Sequence, residues 1–316
     1  MDREEDCKWG YGLDDQIRAD RLPDTEILPE GMKKVRREDP EYPGRLRNIP
    51  DPPKQLYYYG ELPGEDEPSA AIIGARDCSE YGKYVAIELG RLLGQNGICV
   101  ISGMARGIDG ISQEAALSVG GRSYGVLGSG ADVCYPRSNR GLYEQLKCRG
   151  GVLSEYAPGT PAKGYLFPPR NRIVSGLADV VVVVEAREKS GTLITVDMAL
   201  EQGKDVYMVP GRVTDKLSEG CNRLIKAGAG ILVSPEDFVK ELWGDSKMIS
   251  PKREKLLSGE LGDVYNALDF TPSTVEQVWA KLGGVYTEIQ VASLLMQLSM
   301  QKEILQVSPG YFCHKG

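Results

Sequence analysis

Short apolar runs alternate with segments of helical periodicity along most of the chain. The runs AAIIG (70–74), GICVIS (97–102), SYGVLG (123–128), GVLSEY (151–156), DVVVVVEA (179–186), DVYMVPG (205–211) and ILVS (231–234) read as strands. Helical patterns fall between them at 79–95, 108–119, 139–147, 192–201 and 220–227, and FPPRNRIVSGLA turns helical after its prolines. Five consecutive valines in the fifth run suit a strand covered on both faces. This alternation predicts a mostly parallel, doubly wound α/β sheet with helices on both faces and right-handed crossovers. Gly74, Gly103, Gly128, Gly130 and Gly211 fall at the carboxyl ends of these strands, the edge at which open α/β sheets bind ligands.

The flanks read differently. Residues 1–37 are charged with little apolar period and read as disordered or loosely packed. From Glu38 to Gly64 the chain is rich in Pro and Tyr, which predicts an extended lead-in packed on the core. The main α/β domain is therefore placed at 38–239, a polar, basic linker at 240–257, and a small domain at 258–316. Three helical patterns occupy that last part, at 262–269, 274–281 and 287–300, followed by a two-stranded turn around Pro309 and Gly310. Three helices and a β-wing predict a winged-helix-like domain.

Composition narrows the chemistry. A hydrophobic content of 41% is enough for a real core. The net charge of −7 speaks against a generally basic surface, so a nucleic-acid partner would require a local basic stripe. The seven cysteines are odd in number and form no C-x-x-C pair, as expected of free thiols in a reducing cytoplasm. The N-terminal residues MDREEDCKWG cannot be a secretory apolar region, and no run of 18 apolar residues exists to span a membrane. The single histidine, His314, sits near the C-terminal end of the sequence, a poor place for a triad base, and a His-rich metal site is impossible. No cofactor motif is present.

Four segments could hold anions or bases. Ser102–Asp109 (SGMARGID) joins a strand to a helix; its glycines, the helix N-terminus and Arg106 suit phosphate, although a tight structural turn would use the same glycines. It is not G-x-G-x-x-G, so no dinucleotide fingerprint is present. Gly74-Ala75-Arg76 ends another strand. Ser190–Thr195 (SGTLIT) could cap a helix or hold an oxyanion. Lys163–Arg172 (KGYLFPPRNR) interleaves cations with two rings, as a single-strand binder requires; a loop whose rings plug the core is the alternative. One nucleotide needs one or two such sites, whereas a row of them suits a polymer backbone.

The ordered motifs YPGRLRNIPDPP, LYYYGEL, IIGARDCSEYG, ISGMARGIDGISQEAAL, GVLGSGADVCYP, FPPRNRIVSGLADVVVVVEA, SGTLITVDMALEQG and GCNRLIKAGA, from Glu41 to Phe238, resemble the DNA-processing protein A (DprA/Smf) family. The resemblance implies an extended Rossmann-like fold, binding of single-stranded DNA, homodimers, and loading of a RecA-type recombinase during natural transformation or DNA uptake, without catalysis. It places DNA contacts at Arg76, Ser102, Gly103, Ala105, Arg106, Gly107, Asp109, Lys163, Phe167, Arg170 and Asn171, with Asp109 suited to ordering its loop. Arg172 is expected to pair with an internal carboxylate, Glu155 or Glu185. A dimer contact is expected at the closing edge of the sheet, through Leu224, Ile225, Ile231 and Leu232. Two departures stand out. Gln113 occupies a position where members commonly carry His, and the short stretch ahead of Glu41 is not expected to hold the N-terminal helical domain of many members. A nucleotide-processing enzyme of the related phosphoribohydrolase-like superfamily is the rival reading, with SGTLIT as phosphate loop and Glu155 or Glu185 as acid. A DNA-uptake adaptor that binds proteins through its C-terminal domain is a second.

Overall fold

A computed structural model describes residues 27–244, 259–268, 272–301 and 303–314. The expectations for 1–26, for 245–257 of the linker and for residue 258 of the small domain lie outside the described residues. The α/β part opens with β1 (Lys33–Arg36), α1 (Gly44–Arg47), β2 (Gln55–Gly60), β3 (Ser69–Ile73), α2 (Glu80–Gln95), β4 (Cys99–Ser102) and α3 (Ile108–Ser118). It continues through β5 (Ser123–Val126), α4 (Arg140–Cys148), β6 (Gly150–Ser154), α5 (Phe167–Leu177) and β7 (Val180–Val183). It closes with α6 (Gly191–Glu201), β8 (Asp205–Met208), α7 (Glu219–Lys226), β9 (Gly230–Ile231) and α8 (Pro235–Trp243).

The strands form one sheet in the order β1-β2-β6-β5-β4-β3-β7-β8-β9. All pairs from β6 to β9 are parallel; β1 with β2 and β2 with β6 are antiparallel. The chain winds from β3 outward through β4, β5 and β6, then returns to the other side of β3 with β7. That reversal is the topological switch point, where a crevice opens beyond the strand ends. The valine run shows why the strand is central. Val181 and Val183 join the core beneath α5, α6 and α7, while Val180, Val182 and Val184 join the core beneath α2 and α8. All five are at most 2% exposed, and each such burial contributes about 1.5–3 kcal/mol.

Two boundaries move. The lead-in is part of the sheet, and so is Lys33–Arg36, which the sequence pattern assigns to the loose N-terminal segment; β1 completes the antiparallel edge with Val35 buried. Arg45 ties the lead-in to the core, donating to Ser69 Oγ, Leu177 O and Glu67 O and pairing with Asp179 at 3.1 Å. At the other end, residues 240–243 belong to α8 rather than to a linker. Ser234 caps this helix by accepting from Asp237 N, and Phe238 packs edge-on against Tyr207 and Trp243. No helix among the described residues is long and apolar enough to cross a membrane.

The C-terminal part contains α9 (Glu260–Ala267), β10 (Ser273–Thr274), α10 (Val275–Lys281), α11 (Glu288–Met300), β11 (Ile304–Ser308) and β12 (Tyr311–His314). Thr274 with Gln277 and Thr287 with Gln290 form capping boxes that start α10 and α11. The expected two-stranded turn gains a third strand, giving the antiparallel order β10-β12-β11. Val264, Val278, Val291, Leu295, Leu298, Ile304 and Phe312 form its own core.

Candidate nucleic-acid interface

The crevice at the switch point is a cleft of about 620 Å³. Four of the sequence segments converge on it. Gly74–Arg76 come from the end of β3, Gly103 and Ala105 from the β4–α3 loop, Asp109 from the first turn of α3, Phe167, Arg170 and Asn171 from α5, and Ser190–Thr192 and Thr195 from the start of α6. Backbone chemistry brings the loops this close. Gly107 has φ +75°, and a Cβ there would lie 2.3 Å from Ala75 O and 2.4 Å from Arg76 O. Only glycine lets the β4–α3 loop lie against the β3 loop, where Ile108 N donates to Ala75 O at 3.2 Å. Met104 is buried at φ +53°, a left-handed conformation that the surrounding contacts hold in place.

The cations divide into two kinds. Arg170 is 5% exposed and acts as a strut: Nη1 donates to Gly103 O at 3.0 Å and to Val126 O. Its guanidinium also faces the buried carboxylate of Asp109. Burial pushes the Arg170 pKa down to about 10, which still leaves it charged at neutral pH. Burial likewise raises the Asp109 pKa, with Arg170 and the Gly103 N–H opposing the rise. Gly103 N donates to Asp109 Oδ2 at 3.1 Å, so this acid orders the loop from beneath. Ser102 also departs from the expected role: its side chain is fully buried and its hydroxyl donates to Ile72 O at 2.6 Å. Strand β4 turns this residue inward, away from the cleft.

Arg76 and Arg106 are exposed. Arg76 has no ion-pair partner among the described residues and lies over the Phe167 ring, 5.4 Å from its centroid. Arg106 approaches Asp77 at 3.6 Å, but both side chains are open to water, and such a pair is worth at most about 1 kcal/mol. Lys163 is exposed and reaches over the Tyr165 ring; its neighbours Ala162 and Gly164 line the cleft, whereas it does not. Asn171 lines the cleft and accepts from Arg170 Nε at 3.3 Å. At Ser190–Thr195 the helix-capping reading holds: Ser190 Oγ accepts from Thr192 N at 3.2 Å.

Tyr135 is a cleft residue that the sequence did not single out. It is 46% exposed and stacks on Phe167 with ring centroids 5.6 Å apart. Its only signal was its place in the GVLGSGADVCYP motif. The rival's catalytic acids are committed elsewhere. Glu155 holds Arg172 in a two-pronged pair at 2.8 and 2.7 Å, which meets the pairing expected of Arg172. Glu185 is buried and accepts from Ser79 N and Oγ at the start of α2. Gln113, too, lies away from the cleft, donating to Ser123 Oγ and Tyr124 O in the core.

The doubly wound sheet and the cleft at its switch point define a Rossmann-like ligand-binding protein, with exposed arginines and rings rather than a dinucleotide loop at its mouth. The profile of the DNA recombination-mediator protein A family matches residues 33–243, and the chain belongs to that family. It is 41% identical over 200 residues to the DNA processing protein DprA of Streptococcus pneumoniae, covering 63% of this chain and 71% of the relative. The X-ray structure of the DNA processing protein A from that organism superposes with a TM-score of 0.63, at 39% identity over 67% of this chain and 75% of that one. DNA processing protein A from Helicobacter pylori, described for its single-stranded DNA binding mode, superposes with a TM-score of 0.60 at 31% identity, covering 67% of this chain and 95% of that one.

Proposed function

We propose that the cleft binds single-stranded DNA, and that the protein, as a cytoplasmic homodimer, presents the strand to a RecA-type recombinase during DNA uptake. The observation that carries this reading is the Arg76–Phe167–Tyr135 group: a guanidinium and two rings in contact at the mouth of one cleft. Cations take the phosphates and rings take the bases whatever their sequence. The relative from Helicobacter pylori is described for its single-stranded DNA binding mode, which supports a single strand as the ligand. The protein acts without catalysis in this reading. Asp109 is the one carboxylate among the cleft-lining residues, and Arg170 and Gly103 hold it.

The test is a salt titration of binding to labelled oligo-dT. Arg76, Arg106 and Lys163 supply about three phosphate contacts, and two further contacts would make about five. At about −0.7 per contact, the log–log slope is expected between about −2 and −3.5. A flat response removes the electrostatic reading.

The dimer proposal rests on the β9 edge. Ile231 and Val233 are 47% and 79% exposed, and a groove of about 310 Å³ lined by Leu200, Leu224 and Ala227 lies alongside. Leu232 drops out of the expected contact set because it is 5% exposed and packed in the core with Phe238 and Val239. Leu224 and Ile225 are half-buried against the main core. Ile231→Glu is expected to give a folded monomer by sedimentation, because it puts a charge at the centre of a self-complementary patch. Wild-type protein sedimenting as a monomer at tens of micromolar would contradict the dimer. We read the C-terminal three-helix, three-strand part as winged-helix-like. It is not needed for strand binding in this account, since every cleft residue precedes it.

A further inference from the structure

We infer that Glu185 is a positioning residue for strand binding: from beyond the end of β7 it fixes Ser79, and through Ser79 the β3–α2 loop that presents Arg76 at the cleft mouth. The inference rests on the single-strand reading and deepens it, since Glu185 does not itself line the cleft. A buried carboxylate needs a cation or a set of hydrogen-bond donors. Glu185 is 1% exposed and has no ion-pair partner among the described residues. Ser79 supplies the donors instead. Its N–H donates to Glu185 Oε2 at 2.9 Å, and its hydroxyl donates to Oε1. The same hydroxyl accepts from Gly82 N at 3.0 Å and so caps α2, whose positive end favours the carboxylate. Gly82 makes room for this: a Cβ there would lie 2.5 Å from the Glu185 carboxyl carbon. Burial raises the Glu185 pKa, and the two bonds from Ser79 oppose the rise.

The loop is pinned at both ends. At its start, Thr192 Oγ1 donates to Gly74 O at 3.4 Å and Ile108 N donates to Ala75 O at 3.2 Å. At its finish stands Ser79 on Glu185. Arg76, Asp77 and Cys78 span the interval, and Arg76 lies within about 10 Å of Ser79 along the backbone. With both pins in place the Arg76 guanidinium stays over the Phe167 ring, 5.4 Å from its centroid, so little ordering is left to do when a phosphate arrives. Without the Ser79 pin, the loop gains conformations in which the exposed Arg76 leaves the ring. Strand binding then carries the cost of selecting the competent one, which lowers the apparent affinity by its population.

The experiment titrates full-length variants, shown folded by circular dichroism, with labelled oligo-dT. Glu185→Ala is expected to lower affinity at least threefold and to make the log–log salt slope shallower by about 0.7, the one phosphate contact that Arg76→Ala also removes. Arg76→Ala/Glu185→Ala is expected to bind within twofold of Arg76→Ala alone, because the two residues act in series. Glu185→Gln keeps an acceptor for the Ser79 N–H and a polar partner for its hydroxyl, and is expected within twofold of wild type. Should Glu185→Ala fail to fold, Ser79→Ala removes one of the two bonds and goes through the same cycle, with an expected loss of at least twofold that vanishes in the Arg76→Ala background. Losses that multiply in the double variant would mean a general loosening of the fold and overturn the proposal. So would Glu185→Ala with wild-type affinity and slope, or Glu185→Gln as weak as Glu185→Ala. Wild-type protein that binds no oligo-dT would instead remove the single-strand reading beneath it.

Discussion

Arg170→Met is expected to lower the unfolding free energy by about 3–5 kcal/mol, a large share of the 5–15 kcal/mol typical of a domain. Three groups lose their partner at once. Gly103 O and Val126 O lose the Nη1 donor, and the buried Asp109 carboxylate is left facing no cation. Arg170→Lys keeps the charge but not the planar fork, so it is expected to cost less, about 1–3 kcal/mol. Asp109→Asn combined with Arg170→Met should recover part of the loss, since the two residues act as a pair. Denaturant midpoints measure all three. The opposite pattern, Arg170→Met with a wild-type midpoint but no strand binding, would make Arg170 a phosphate ligand instead of the strut described above.

Phe167→Ala is expected to weaken oligo-dT binding by about 1–3 kcal/mol while leaving the fold intact. The ring is only partly buried, and both Arg76 and Tyr135 lie against it. Its removal takes away a stacking surface and releases the guanidinium that the ring positions. Arg76→Ala is expected to weaken all sequences alike, because phosphate contacts carry no base information. Circular dichroism checks that the variants are folded, and anisotropy titrations read the loss. A folded Phe167→Ala/Arg76→Ala double variant that binds like wild type would move the site elsewhere on the protein.

The sheet was legible because its signal is local. A run such as Val180–Val184 can satisfy its side chains only between two layers, and Gly107 only where backbones meet. The lead-in was harder to read. Lys33–Arg36 carries one buried residue, Val35, and becomes a strand only because β2 is there to pair with it. The convergence of four segments on one cleft was visible as glycines and cations at strand ends. Which arginine is a strut and which is free was not, because Arg170 and Arg76 differ only in the side chains folded around them. Tyr135 escaped for the same reason: its exposure and its stacking on Phe167 come from tertiary packing, not from any sequence period. Ile231 ends β9 and Leu232 follows it, and the alternation of the extended chain sends Leu232 into the core and Ile231 outward.

The most direct measurement is fluorescence anisotropy of wild-type protein with a labelled oligo-dT and with a duplex of equal length, at one fixed salt concentration. Bases that stack on Phe167 and Tyr135 must be unpaired, so the single strand is expected to bind clearly more tightly than the duplex. Equal affinity for the two would contradict the account, because phosphates alone would then explain the binding and the rings at the cleft would have no part in it.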